Sequence, residues 1–190
     1  MTVFPDVVQA AGSVKPAAEP PVPAVEAPAA DVPASGTEPR WLTDPEMRTW
    51  LNLAQVLILM PAALDRQLRE DTGIPHAYYQ ILANLSAAQG HSMRMTDLAR
   101  MVGTTTSRLS HAVASLEQRG WVQRQACPSD KRGQVACLTE LGMDTLRAAA
   151  PGHVAEVRRL VFDNLTEDEV AQLREITAKV LPALSRDCRR

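Results

Sequence analysis

A fixed spacing of small, flexible and apolar residues between positions 99 and 109 constrains this fold more than any other feature. Ala99, Gly103 and Leu109 stand four and six residues apart, and Leu98 and Val102 add further apolar positions. A pair of short helices joined by a tight turn needs a small residue where the helices cross, a turn residue that tolerates positive φ, and an apolar residue that fixes the second helix. The spacing therefore predicts a helix-turn-helix. Its two helices should cover about Thr96–Val102 and Thr105–Arg119.

A predicted β-hairpin follows the second of these helices directly. Trp121–Gln125 and Gln134–Leu138 are strand-like, and they flank a polar turn over residues 128–133. That turn carries Lys131 and Arg132. A hairpin with a basic tip beside a helix-turn-helix indicates a winged helix, which is a fold that binds double-stranded DNA.

The second helix of the motif has one apolar and one polar side. Leu109, Ala112, Val113 and Leu116 follow helical spacing and should face the core. The opposite side exposes Thr105, Thr106, Ser107, Arg108 and His111. Since a bidentate arginine is the commonest reader of guanine in the major groove, we predict base readout by Arg108, with Ser107 and His111 beside it. The alternative is that these are ordinary solvated residues.

The charge of the chain is distributed unevenly. The net formal charge is −2, which by itself gives no indication of a nucleic-acid partner. Residues 91–135, however, hold seven arginines and lysines against three acidic residues. This segment is where we expect phosphate contacts, with Arg124 as a further candidate on the flank of the hairpin.

Helices are predicted on both sides of the winged helix. Asp44 should cap a first helix that has Pro45 at its first position, runs to about Arg69, and is kinked or interrupted by Pro61. Nine of the eleven residues at 50–60 are apolar, which is too many for one buried stripe, so a partner chain could cover a second face. A second helix should follow Pro75 and end near Gly90.

Two more helices are predicted after the hairpin. Thr139 should open a long helix that bends at Pro151, and Thr166 with Glu169 forms a capping box for the last helix. Residues 1–40 hold eight of the 14 prolines and are predicted to be a tail without a fold of its own. The predicted fold class is α+β, mainly α.

The run from Met95 to Thr139 resembles the MarR (multiple antibiotic resistance regulator) family. The resemblance is carried by LARMVGTTTSRLSHAVASLEQRGWV, PSDKRG and LTELG, and with the flanking helices it extends over about residues 45–184. Its most specific element is Asp130-Lys131-Arg132, which matches the family's wing signature. The resemblance implies that Arg132 enters the minor groove and that Asp130 helps to hold the wing.

The resemblance also implies a homodimer held by the first, fifth and sixth helices. Such a dimer should bind a pseudo-palindromic operator with half-sites about 10 bp apart, most simply as a repressor. The domain plan is then a tail at 1–40, a dimerisation helix at 41–75, a winged helix at 76–138, dimerisation helices at 139–185 and a flexible end at 186–190.

Many members of the family release DNA when a small aromatic or phenolic ligand binds between the dimerisation helices and the winged helix. By position, Trp50, His76, Tyr78 and Tyr79 are the candidates to line such a site, although aromatic residues at helical spacing are more often core. Cys127 at the base of the wing is the one thiol placed to alter DNA contact, but a structural or exposed thiol is the simpler interpretation.

Other classes of function find no support in the sequence. The four histidines show no close spacing to each other or to cysteine, so no metal site is predicted, and no cofactor or catalytic motif is present. We expect a cytoplasmic, nucleoid-associated protein with no membrane partner and no enzymatic activity. The alternative function is a helical small-molecule-binding or interaction protein that kept the fold and lost specific DNA binding.

Overall fold

The computed structural model describes the backbone of residues 39–127 and 130–187, and the side chains of residues 39–126 and 133–184. The helices and strands of the described residues lie in the compact unit Leu42–Arg190, and Met1–Trp41 is a separate unit. The predicted tail therefore lies almost wholly outside the described residues. The predicted flexible end at 186–190 is partly helical, because the last helix runs to Asp187.

Six α-helices and three strands follow one another along the described chain, with short 3-10 turns at Gln89–His91 and Phe162–Asn164. They are α1 (Asp44–Thr72), α2 (His76–Ala87), β1 (Ser92–Arg94), α3 (Met95–Met101), α4 (Thr106–Gln118), β2 (Val122–Cys127), β3 (Asp130–Leu138), α5 (Glu140–Leu160) and α6 (Glu167–Asp187). Helical residues dominate and the strands form one small sheet, which confirms the predicted mainly helical α+β class.

The sheet is antiparallel with the order β1-β3-β2. Sequence reasoning missed β1, since a three-residue strand has no detectable alternation and is formed by its pairing with β3. The hairpin strands are also longer than predicted, and β3 begins at Asp130 inside the predicted turn. Asp, Lys and Gly have low β-propensity, so the residues themselves do not favour a strand here. The strand starts at Asp130 because Asp130 pairs with Cys127, beyond the register shift between Ala126 and Cys127.

The ends of α1 differ from the prediction. Thr43, not Asp44, is the cap: its Oγ1 accepts from the Glu46 N–H at 3.4 Å, and Glu46 Oε2 accepts from the Thr43 N–H at 2.8 Å. The helix continues through Pro61, so the predicted interruption does not occur. Pro61 donates no backbone hydrogen bond, but the packing of Leu64 and Leu68 into the core stabilises the helix after it.

The core supports the predicted helix-turn-helix. Leu98 and Ala99 of α3 and Leu109 of α4 are at most 2% exposed, and Gly103 adopts a φ of 65° in the turn between the helices. These residues belong to one apolar cluster to which α1, α2, the hairpin and α5 also contribute. The predicted register of small, flexible and apolar residues is confirmed.

The apolar surfaces of α1 and α6 remain open to solvent. On α1 the exposed residues include Leu51, Val56, Leu57, Ile58 and Leu59, and on α6 they include Leu173, Ile176, Val180 and Leu184. By length and composition alone, α1 is the one described helix that could span a membrane, and 6% of its apolar window is buried. The composition of residues 50–60 predicted that a second face of α1 is covered, and in the single chain this face is exposed.

Candidate nucleic-acid interface

Helix α4 separates a buried face from an exposed one. Leu109, Val113 and Leu116 are at most 1% exposed, so they fix the orientation of the helix on the core. The five predicted DNA-binding residues of this helix are all exposed and lie in its first half or at its cap: Thr105, Thr106, Ser107, Arg108 and His111. The structure therefore leaves all five side chains accessible around the N-terminal half of α4.

Thr105 is exposed and also caps the N-terminus of α4. Its Oγ1 accepts a hydrogen bond from the Arg108 N–H at 3.3 Å, so it is the N-cap of α4. The remaining N–H groups of the first turn point out of the helix and carry partial positive charge. This end of α4 suits the approach of a phosphate or of a base edge.

Two shallow depressions flank the start of α4. One lies between α3 and α4 and the other between these helices and the hairpin, and Thr106 lines both. Thr96 also lines both, and Gln134 of β3 lines the second. Sequence reasoning did not select Thr96 or Gln134, although a polar residue at the start of the first helix of the motif was a usable signal.

The tip of the hairpin carries the predicted wing residues. The backbone of Asp130, Lys131 and Arg132 forms the beginning of β3. The positions of these three side chains, and of Cys127, lie outside the described part of the structure. Their roles therefore remain predictions.

Arg124 is bound within the protein. Its Nε donates to Glu117 Oε2 at 2.7 Å, and its backbone N–H donates to Glu117 Oε1 at 2.9 Å. The side-chain hydrogen bond from Arg124 is the main reason why the pKa of Glu117 lies below its ordinary value. The predicted flank residue thus connects β2 to the last turn of α4.

Known proteins match this arrangement. A model of the MarR family matches residues 72–133. The crystal structure of Sco3205, a MarR family transcriptional regulator from Streptomyces coelicolor in complex with DNA, superposes with a TM-score of 0.73 at 49% identity and covers 78% of this chain and 93% of that one. The chain belongs to the MarR family.

Two further relatives support the same family assignment. AbsC, a MarR family transcriptional regulator from Streptomyces coelicolor, has 39% identity and a TM-score of 0.71 over 77% of this chain and 98% of its own. The transcriptional repressor MprA of Escherichia coli K12 is 30% identical over 112 residues, which is 59% of this chain and 63% of MprA. This last match thus spans less than two thirds of the repressor. All three relatives are named as regulators and none as an enzyme.

The candidate ligand residues of this MarR-family chain do not form one cluster. The backbone N–H of His76 donates to Asp65 of α1, so Asp65 marks the level of His76 along that helix. Trp50 lies 15 residues before Asp65 on the same helix, which is about 22 Å away along its axis. Tyr78 lies against the Arg119 guanidinium, 5.8 Å from the ring centroid. Only His76 and Tyr79 remain near each other.

A histidine that sequence reasoning passed over joins these two residues. The ring of His153 in α5 lies 4.3 Å from that of Tyr79 and 5.6 Å from that of His76, although the sequence spacing suggested no pairing. Burial lowers the pKa of both histidines, and the neighbouring His76 lowers that of His153 further. Their separation of 77 positions hides this pair, since only the packing of α5 on α2 creates it.

This cluster has unused hydrogen-bonding capacity. Among the described residues, His153 Nδ1 of this cluster is buried without a hydrogen-bond partner, and so is Gln67 Oε1 of α1. No group of three metal-ligating side chains occurs among the described residues. Cys137 is partly buried, and burial raises its thiol pKa, which disfavours a reactive thiolate at that position.

Proposed function

We propose that this MarR-family chain is a dimeric transcriptional regulator of the cytoplasm that binds a pseudo-palindromic operator in double-stranded DNA. One observation carries the proposal. The five polar residues at the start of α4 are all exposed, while the apolar face of that helix is buried in the core. A rigid helix with exposed polar side chains and a hairpin beside it suits insertion into the major groove.

Among these five residues, Arg108 is the proposed reader of guanine, and Ser107 and His111 are proposed to contact neighbouring bases or phosphates. Thr105 and Thr106 lie at the helix start, where they suit phosphate contacts. On the hairpin, Arg132 is proposed to enter the minor groove and Lys131 to contact phosphate, with Asp130 holding the wing.

The dimer is proposed from the open apolar faces of α1 and α6. A groove lined by Val56, Leu59, Met60, Ala63 and Leu160 lies on the same side of α1. The exposed leucines, isoleucines and valines of α6 have the chemistry to fill such a groove in a second copy. Two-fold pairing places two copies of α4 about one turn of DNA apart, or ~10 bp.

Repression by occupying a promoter is the simplest mode of action for such a dimer. We further propose that a small aromatic or phenolic ligand releases the DNA by binding where α2 meets α1 and α5. His76 and Tyr79 remain the candidates there, joined by His153, whose Nδ1 has no hydrogen-bond partner in the part of the chain that the structure describes. Trp50 and Tyr78 do not belong to this cluster of rings in a single chain.

The decisive experiment is selection of bound sequences from a random duplex pool by the full chain. We expect enrichment of a pseudo-palindrome. Arg108→Ala and Arg132→Ala should each cost about 1–3 kcal/mol of specific binding. Arg147→Ala, which removes an exposed arginine from α5, is the matched control and should bind like wild type. Failure to enrich any sequence would favour the interaction protein that has lost DNA binding.

A further inference from the structure

The outer strand of the hairpin is tied to α4 through its backbone. β2 lies at the edge of the sheet, so no described strand pairs with the N–H groups on its outer side. The N–H of Arg124 is one of these, and it donates to Glu117 Oε1 at 2.9 Å. Since edge N–H groups otherwise face water, this bond fixes the position of the strand itself against the helix.

The side chain of Arg124 completes the connection. Its Nε donates to Glu117 Oε2 at 2.7 Å, and Nη2 lies 2.5 Å from the same oxygen. The two side chains are 28% and 29% exposed, whereas those of the Asp144–Arg147 pair within α5 are each 68% exposed. A carboxylate held by three donors from one residue has a defined orientation.

A second contact holds the same end of α4. Arg119, directly after the helix, lies over the ring of Trp121 at 5.0 Å and near that of Tyr78 in α2. The junction between α4 and the hairpin is thus held on two sides, by Glu117 with Arg124 and by Arg119 between two aromatic rings.

We propose that Glu117 and Arg124 are positioning residues that set the angle between α4 and the wing. This inference rests on the proposed function, because it concerns how α4 and the hairpin reach adjacent grooves of one half-site together. Arg124 then acts through Glu117 and does not contact DNA itself. The sequence-based expectation for Arg124 is replaced by this role.

Replacing Glu117 should change DNA affinity in opposite directions under two hypotheses: that Glu117 positions the wing, or that it acts only through its charge. Removing the negative charge of Glu117 near a DNA-binding surface should strengthen DNA binding if charge alone matters. If Glu117 positions the wing, its removal weakens operator binding. Glu117→Gln and Glu117→Ala make the same change in charge, but only the glutamine keeps an oxygen that can accept from the Arg124 N–H.

The test measures the affinity of the full chain for its selected operator and for random duplex, over a series of salt concentrations. We expect Glu117→Ala to lose about tenfold in operator affinity, a value within the range for coupled neighbours. Glu117→Gln should lose less, and random-duplex affinity should not fall. The Glu117→Ala/Arg124→Ala double variant should be no weaker than Glu117→Ala alone.

Asp144→Ala is the matched control, since it removes one acid from an exposed ion pair in α5. Equal or tighter operator binding by Glu117→Ala, or a salt slope reduced by about 1 in Arg124→Ala, would overturn the positioning role. If circular dichroism shows that Glu117→Ala is unfolded, Arg124→Lys serves instead, because positioning predicts a loss although the charge is kept. A wild-type chain that selects no operator would refute the proposed function itself.

Discussion

The backbone N–H of Thr139 donates to the carbonyl oxygen of Trp121 at 3.1 Å, where the hairpin ends and α5 begins. The Thr139 hydroxyl donates to the Gly120 carbonyl at 2.6 Å and accepts from the Gly142 N–H at 3.0 Å. One threonine therefore joins the end of α4, the start of the hairpin and the first turn of α5. These contacts account for the threonine and the glycine of the LTELG segment, which are Thr139 and Gly142.

Gly142 should tolerate no side chain. A Cβ atom there would collide with the Trp121 carbonyl oxygen, which is backbone and cannot move aside. We expect Gly142→Ala to lower the free energy of unfolding by about 1–3 kcal/mol, measured by urea denaturation. Gly152→Ala, in the same helix, is the control, because its Cβ would meet only the ends of Asp71 and Gln67. Equal stability of the two variants would contradict the argument.

Thr105 should be required for the start of α4 as well as for any DNA contact. Thr105→Ala removes the acceptor for the Arg108 N–H and should cost about 1 kcal/mol of stability. Thr105→Ser keeps the cap and should retain stability. Thermal unfolding of the two variants without DNA measures this effect, and an unchanged melting temperature in Thr105→Ala would show that the cap contributes nothing.

A charge on the open face of α1 should separate the proposed dimer. Ile58 is 67% exposed, and Ile58→Glu should yield monomers or unfolded chains in sedimentation experiments. Met101→Glu is the control, since Met101 of α3 is 63% exposed but lies outside the two helices with open apolar faces. If Ile58→Glu sediments as wild type does, α1 is not the interface. Association of the wild-type chain with lipid vesicles would instead favour a membrane cover for α1.

Acidification should destabilise the fold before carboxylates are protonated. The folded-state pKa values of His76 and His153 lie below 6.5, so the unfolded chain binds more protons as the pH falls through that value. The free energy of unfolding should therefore decrease from pH 7.5 to 5.5.

His153→Gln should flatten this pH dependence, while His111→Gln, which changes an exposed histidine of α4, should not. The titratable neighbours of the pair include Asp65 of α1, which accepts from the His76 N–H, and Tyr79 of α2, whose ring contacts that of His153. The pKa of Asp65 is lowered by Arg69, so its own contribution is lost only at lower pH. A wild-type stability that is constant over this range would contradict the prediction.

The sequence predicted those features that depend on neighbouring positions. The register of Ala99, Gly103 and Leu109 follows from the crossing of two adjacent helices, and the Thr166–Glu169 capping box needs only four residues. The sequence failed where partners are remote. The His76–His153 contact and strand β1 arise from packing between distant segments, and no local pattern signals either of them.

The site was predicted to a similar extent. The exposed side of α4 follows from helical periodicity alone. The attachment of Arg124 to Glu117 does not, because a basic residue in a basic segment has the same sequence pattern whether it faces phosphate or a neighbouring carboxylate.

Because the apolar faces of α1 and α6 are open, the stability of the fold can depend on the concentration of the chain in a cell. If these surfaces are covered only by a second copy, folding and pairing form one equilibrium, and the melting temperature rises with the concentration of the chain. Newly made chains at low copy number would then be the most exposed to proteolysis. The abundance of such a regulator would set its lifetime as well as its occupancy of DNA.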